Sequence, residues 1–199
     1  MNLPNKLTVA RICMIPAVIA VILLTGVCIP TVAGCLIAAA IFGITSFTDF
    51  LDGKIARKYN LVTSFGKFLD PLADKMLVIG TMLAIFYRFD ALRFWYLWAL
   101  IIVIFREFAV TGLRMIAVSD GGEVIAANML GKIKTVTQIV ALLMALLEPA
   151  IEYLLSLAFD YPLAGVYPLT ILTIVISTFF TLWSGISYVW SYRGYLKQK

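Results

Sequence analysis

The sequence predicts an all-α integral membrane protein of six transmembrane helices, entered through an amphipathic amino-terminal segment. Of its 199 residues, 62% are hydrophobic, and the mean hydropathy of +1.00 is more than an ordinary water-soluble domain carries on its surface. Charge-free runs extend over Ile12–Thr48 and Tyr161–Tyr192, each too long for one crossing of roughly 20 residues, and shorter runs lie at Met76–Tyr87, Phe94–Phe105 and Thr135–Leu147. Lys and Arg gather on one side of the topology that these runs define.

The elements follow in order. Pro4, Asn5 and Lys6, then Leu7, Val9 and Ala10 with Thr8 and Arg11 as polar interruptions, read either as an amphipathic approach to the bilayer or as a helix start with cationic anchors. The first long run divides near Pro30, because proline cannot continue a helix ladder, giving crossings at about 9–28 and 32–57. Charged residues then separate crossings at about 66–88, 93–118 and 131–149. The last occupies about 166–190, because Pro162, Gly165 and Pro168 break the start of the second long run. No repeat or polar linker divides residues 1–199, so the chain is read as one membrane-embedded domain.

This topology places Lys6, Arg11, Lys54, Arg57, Lys58, Lys67, Lys75, Arg106, Arg114, Lys132, Lys134, Arg193, Lys197 and Lys199 on one side and only Arg88 and Arg93 on the other. Positive charge collects on the cytoplasmic side, so both termini are expected there. Trp95, Trp98, Trp183 and Trp190 suit the interfacial aromatic belts. Cys13, Cys28 and Cys35 have no CxxC spacing and no histidine anywhere in the chain, and are read as packing residues. Val32, Ala33, Gly34 and Cys35 look like a lipobox, but cleavage there would leave a multi-spanning remainder with reversed orientation, so that reading is set aside.

Against this apolar background stand four carboxylates, Asp49, Asp52, Asp70 and Asp74. An ionisable group in the bilayer is costly and marks a site by default. Asp49, Asp52, Gly53 and Ala56 fall at i, i+3, i+4 and i+7, one helical stripe. Gly66, Asp70 and Asp74 repeat every fourth residue on the next helix. Each pair of acids has near-absent side chains beside it, which clears space next to the charge. Gly53 and Ala56 would also serve close helix packing, and one aspartate could be explained by pairing with Lys54, Arg57, Lys67 or Lys75. Four on two stripes call for cations between them. Carboxylates without His or Cys suit magnesium or manganese, and a two-ion site suits in-line displacement at phosphorus.

These residues match every fixed position of DxxDGxxAR, eight residues, GxxxDxxxD: Asp49, Asp52, Gly53, Ala56, Arg57, Gly66, Asp70 and Asp74. The chain therefore resembles the CDP-alcohol phosphotransferase family. Within it the chain is similar to the bacterial phosphatidylglycerophosphate synthase branch, through Asn2–Arg11, Asp49–Lys75, Phe105–Arg114, Gly131–Thr135 and Leu182–Tyr188. The resemblance implies a six-helix, usually dimeric fold with a polar cavity facing the cytoplasm of a bacterial inner membrane. It implies transfer of a phosphatidyl group from CDP-diacylglycerol to sn-glycerol 3-phosphate, with CMP released and no nucleic-acid partner. It also implies that Asp49, Asp52, Asp70 and Asp74 hold two Mg2+ or Mn2+ ions and that Asp74 doubles as general base. Gly53, Arg57 and Thr63 match positions that hold the CDP group, and Ala56 and Gly66 complete the CDP-diacylglycerol site. Arg57 offers a fork of donors for phosphate oxygens.

For the acceptor the residues speak directly. Arg106 falls inside an apolar span, Arg114 follows on the same helix, and Lys132 and Lys134 open the next. A buried arginine needs an anion, either Glu107, another acid or a ligand phosphate. This cluster suits a phosphorylated alcohol, although positive-inside anchoring also accounts for Lys132. Lys75 could touch the acceptor phosphate or simply face headgroups. Inositol phosphate or phosphatidylglycerol is the alternative acceptor. A divalent-cation channel or transporter is the alternative of another class, disfavoured by the apolar far halves Gly34–Ile41 and Val78–Tyr87.

Overall fold

In the computed structural model the backbone is described for residues 3–58, 64–119, 129–159 and 165–193, and within these the side chains of 3–8, 49–58, 64–68, 70, 118–119 and 159 lie outside the description. Six α-helices account for nearly all of it: α1 (Leu3–Leu24), α2 (Thr31–Lys58), α3 (Ser64–Arg88), α4 (Arg93–Ser119), α5 (Met129–Phe159) and α6 (Pro168–Ser191), with a short 3-10 turn at Asp90–Leu92 before α4.

The break near Pro30 is a turn at 25–30. Gly26 adopts φ +70 there, a conformation that favours glycine, and a Cβ at that position would push the Arg88 guanidinium aside. Arg88 donates from Nε to the Thr25 carbonyl and ties the end of α3 to this turn. The amino-terminal segment enters α1 without a break. Arg11, read from sequence as a polar interruption or anchor, is fully buried in α1. Cys35 is buried, but Cys13 and Cys28 are exposed on the bundle surface, which corrects the expectation that all three pack inside.

α5 departs furthest from expectation, running ten residues past the expected 149 to Phe159 with Pro149 inside it. The cause lies in two acids that close the apolar run in sequence. Glu148 accepts from the Leu169 N–H at 2.7 Å and the Thr170 N–H at 2.6 Å, and Glu152 accepts from Gly165 N–H at 3.1 Å and Tyr167 N–H at 3.2 Å. The first N–H groups of a helix have no partner within it and carry partial positive charge. α5 therefore continues so that its buried carboxylates can close the start of α6.

The core is built from helical stripes: Ile15, Val18 and Ile22 of α1, Ala38, Ala39 and Phe42 of α2, Leu77, Met82 and Ile85 of α3, and Ala141, Leu142, Ala145 and Leu146 of α5. Alanine at so many contacts lets the helices approach closely, as they do in membranes. α1 packs against both α2 and α3, α5 against α2 and α6, and α4 against α3 and α6. Among the described residues, α2 and α3 are joined chiefly through α1 rather than by direct apposition. Long apolar side chains, Phe94, Trp98, Ile101, Phe105 and Phe108 of α4 and Leu172, Phe179, Trp183 and Ile186 of α6 among them, point outward. Among the described residues Thr31–Thr48, Met129–Ala158 and Pro168–Ser191 are long and apolar enough to cross a membrane, and Val9–Leu24 is a shorter apolar helix. The protein is embedded in a membrane.

Candidate active site

The acidic stripes fall on consecutive helices, Asp49 and Asp52 in the carboxy-terminal part of α2 and Asp70 and Asp74 in the amino-terminal part of α3. Pro71, between the second pair, lacks the N–H that would bond the carbonyl of residue 67, loosening the helix ladder beside the acids. The side chains of Asp49, Asp52, Arg57 and Asp70, and the surroundings of Gly53, Ala56 and Gly66, lie outside the described residues, as does the whole of Thr63. Among the described residues no three His, Cys, Asp or Glu side chains come together.

Asp74 is described, and it opens a pocket. Its walls are Lys75, Val78 and Ile79 from α3, Val103 and Glu107 from α4, and Lys134, Thr135 and Gln138 from α5. Each helix contributes along one stripe: Lys75, Val78 and Ile79 at i, i+3, i+4; Val103 and Glu107 four apart; Lys134 and Gln138 four apart. Three helices thus turn their polar positions to one point while their apolar positions close the floor.

Glu107 is the hub. Its Oε1 accepts from Lys134 Nζ at 2.6 Å and from Arg106 Nη1 at 2.9 Å. Its Oε2 lies 3.7 Å from Lys75 Nζ, which also donates to Thr111 Oγ1 at 3.0 Å. Arg106 Nη2 donates to Ser184 Oγ of α6 at 2.8 Å, and a Cβ at Gly185 would meet the Arg106 Cγ at 3.1 Å. Glycine there makes room for the arginine stem against α6. Gln138 is buried, and among the described residues its Nε2 has no hydrogen-bond partner.

Of the basic residues expected at the acceptor, the structure brings Arg106 and Lys134 together. Arg114 is two turns further along α4, where its Nε donates to the Tyr188 hydroxyl at 2.7 Å and its guanidinium stands 5.3 Å from that ring. Tyr188 in turn stacks on Tyr192 with centroids 5.0 Å apart. Lys132 is exposed. Two residues apart on a helix are turned by about 200°, so Lys132 and Lys134 cannot share a face. Sequence reasoning left Lys75 undecided and missed Gln138 and Ser184; intervals of four from Lys134 and from Tyr188 were the signal for both.

Comparison with known proteins identifies the family. The family model described as CDP-alcohol phosphatidyltransferase matches residues 1–185. The chain is 44% identical over 198 residues to the CDP-diacylglycerol–glycerol-3-phosphate 3-phosphatidyltransferase of Bacillus subtilis (strain 168), covering 94% of this chain and 93% of that protein. The protein of the same name from Rickettsia bellii (strain RML369-C) is 43% identical over 145 residues, 71% of this chain and 72% of its own. That from Salmonella choleraesuis (strain SC-B67) is 33% identical over 196 residues, 97% and 96% of the two chains. The chain belongs to the CDP-alcohol phosphatidyltransferase family.

Proposed function

We propose that this protein transfers a phosphatidyl group from CDP-diacylglycerol to sn-glycerol 3-phosphate, giving phosphatidylglycerol phosphate and CMP. The carrying observation is the joining of two features at Asp74: it closes the family's acidic pattern on α2 and α3, and it shares a pocket with Lys75, Glu107 and Lys134. The names borne by the full-length relatives support the same donor and acceptor.

The donor set fits hard divalent ions, because it offers four carboxylates from consecutive helices in a chain without histidine. Asp49, Asp52, Asp70 and Asp74 would hold two Mg2+ or Mn2+ ions, which when bound would grip the donor diphosphate and stabilise the departing CMP. Gly53, Ala56 and Gly66 leave room for the nucleotide to approach the helices, and Arg57 and Thr63 donate to it. Asp74 takes the proton of the acceptor hydroxyl as its oxygen bonds to the phosphatidyl phosphorus and the P–O bond to CMP breaks. Of the basic residues expected at the acceptor, Lys134 meets its phosphate at the pocket wall and Arg106 serves the site through Glu107, while Arg114 stands further along α4 and Lys132 on another face of α5.

In this reading all six helices cross a bacterial inner membrane, both termini and the site face the cytoplasm, and two copies form a homodimer. The channel alternative is disfavoured because, beyond Asp74, buried Leu77, Met82, Ile85 and Phe42 fill the interior with apolar packing. The test is to offer purified protein CDP-diacylglycerol with glycerol 3-phosphate, inositol phosphate or phosphatidylglycerol and to identify the lipid formed. Phosphatidylglycerol phosphate from the first alone is expected. Product only from another acceptor would contradict the assignment.

A further inference from the structure

Arg106 and Lys134 converge on the same carboxylate from different sides. The pocket that holds Asp74 is walled by Lys75, Glu107 and Lys134. Arg106 instead lines an apolar groove between α4 and α6, with Ile101, Phe105, Gly185 and Ile186. Both of its terminal nitrogens are engaged, one by Glu107 and one by Ser184. An arginine so held braces its neighbour and is not available to swing toward a ligand.

We infer that Lys75 binds the acceptor phosphate together with Lys134, and that Glu107, braced from behind by Arg106, is the positioning residue that holds both lysines on the pocket wall. This rests on the reading above that the acceptor carries a phosphate. Three cations that close would repel one another in a poorly hydrated site without a carboxylate between them. Lys75, Arg106 and Lys134 outnumber Glu107, and with Asp74 in the same pocket one positive charge is left over, the sign that attracts a phosphate monoester of about −1.5 to −2 at neutral pH. Lys75 is the loosest of the three: at 3.7 Å its contact with Glu107 is longer than a hydrogen bond, and its side chain is 35% exposed. Turning from Glu107 to a phosphate oxygen exchanges its hydrogen bond to the exposed Thr111 hydroxyl, at 3.0 Å, for a charge-assisted one between opposite charges. Because Lys75 directly follows Asp74, a phosphate held there keeps the acceptor hydroxyl beside the base.

The experiment compares apparent KM values for glycerol 3-phosphate and CDP-diacylglycerol in purified Lys75→Met, Lys134→Met, Glu107→Gln and the Glu107→Gln/Lys134→Met double variant. Each single variant should raise the glycerol 3-phosphate KM about tenfold and leave that for CDP-diacylglycerol within about twofold. The double variant should be worse than Lys134→Met, because Glu107 also holds Lys75, but by clearly less than the product of the two single effects, because part of what Glu107 does passes through Lys134. Glu107→Asp, which keeps the charge, should recover part of the loss, and it decides the matter with Lys75→Met if Glu107→Gln does not fold. An unchanged glycerol 3-phosphate KM in Lys75→Met, or an equal rise for both substrates in the Glu107 variants, overturns the inference. If the wild-type protein proves to use another phosphorylated acceptor, the proposed function falls, and the same split measured with that acceptor still decides the role of these residues. Exclusive use of an unphosphorylated alcohol sinks both.

Discussion

Buried carboxylates serve the two ends of this bundle differently. At the end formed by the start of α6, Glu148 and Glu152 accept, among the described residues, four backbone N–H groups, two from the first turn of α6 and two from the segment just before it. At the other end, Glu107 is surrounded by flexible side-chain cations, one of them at 3.7 Å, and Asp74 stands in the same pocket. A carboxylate matched to fixed backbone donors has one arrangement and nothing left to offer a ligand. One matched to mobile cations leaves those cations able to rearrange when another anion arrives. The difference lets burial that serves the fold be told from burial that serves chemistry.

The largest effect expected from breaking this contrast is at the acidic pattern. Asp74→Asn or Asp70→Asn should reduce CMP release by about 10³-fold or more while the protein stays folded in detergent. Activity retained at saturating magnesium would remove these residues from the site. At the other end the expectation reverses. Glu148→Ala leaves two buried N–H groups of α6 without an acceptor and should cost about 3 kcal/mol of stability, read as a lower unfolding temperature in detergent. Substrate KM values should be unchanged below that temperature; a selective rise in one of them would mean that the end holding α6 also takes part in binding.

The two ends were unequally legible in the sequence. The acidic pairs were plain because three- and four-residue intervals in an apolar helix can be counted without a structure, and Pro30 and the basic clusters marked where helices turn. Glu148 and Glu152 misled, since charges that end an apolar run look like a helix boundary. Their partners are backbone groups of residues 165, 167, 169 and 170, which no side-chain pattern announces. Arg106 was identified as a buried cation in need of an anion. Composition could not show that Glu107 would satisfy it while also reaching Lys134 across helices, because that depends on how α4 and α5 are rotated against each other.

A smaller effect would sharpen the picture within the basic end. Arg114 sits two turns from the Glu107 cluster and is held by Tyr188. Arg114→Ala should therefore raise the glycerol 3-phosphate KM by only about three- to tenfold, more than that for CDP-diacylglycerol. No change in the acceptor constant would confine Arg114 to packing between α4 and α6.

The most direct test of the central claim is CMP release from CDP-diacylglycerol by purified protein, measured as glycerol 3-phosphate and Mg2+ or Mn2+ are varied independently. The account predicts that release requires both, that chelation stops it and that restoring the ion restores it. Release that persists after chelation, or that ignores added glycerol 3-phosphate, would contradict it.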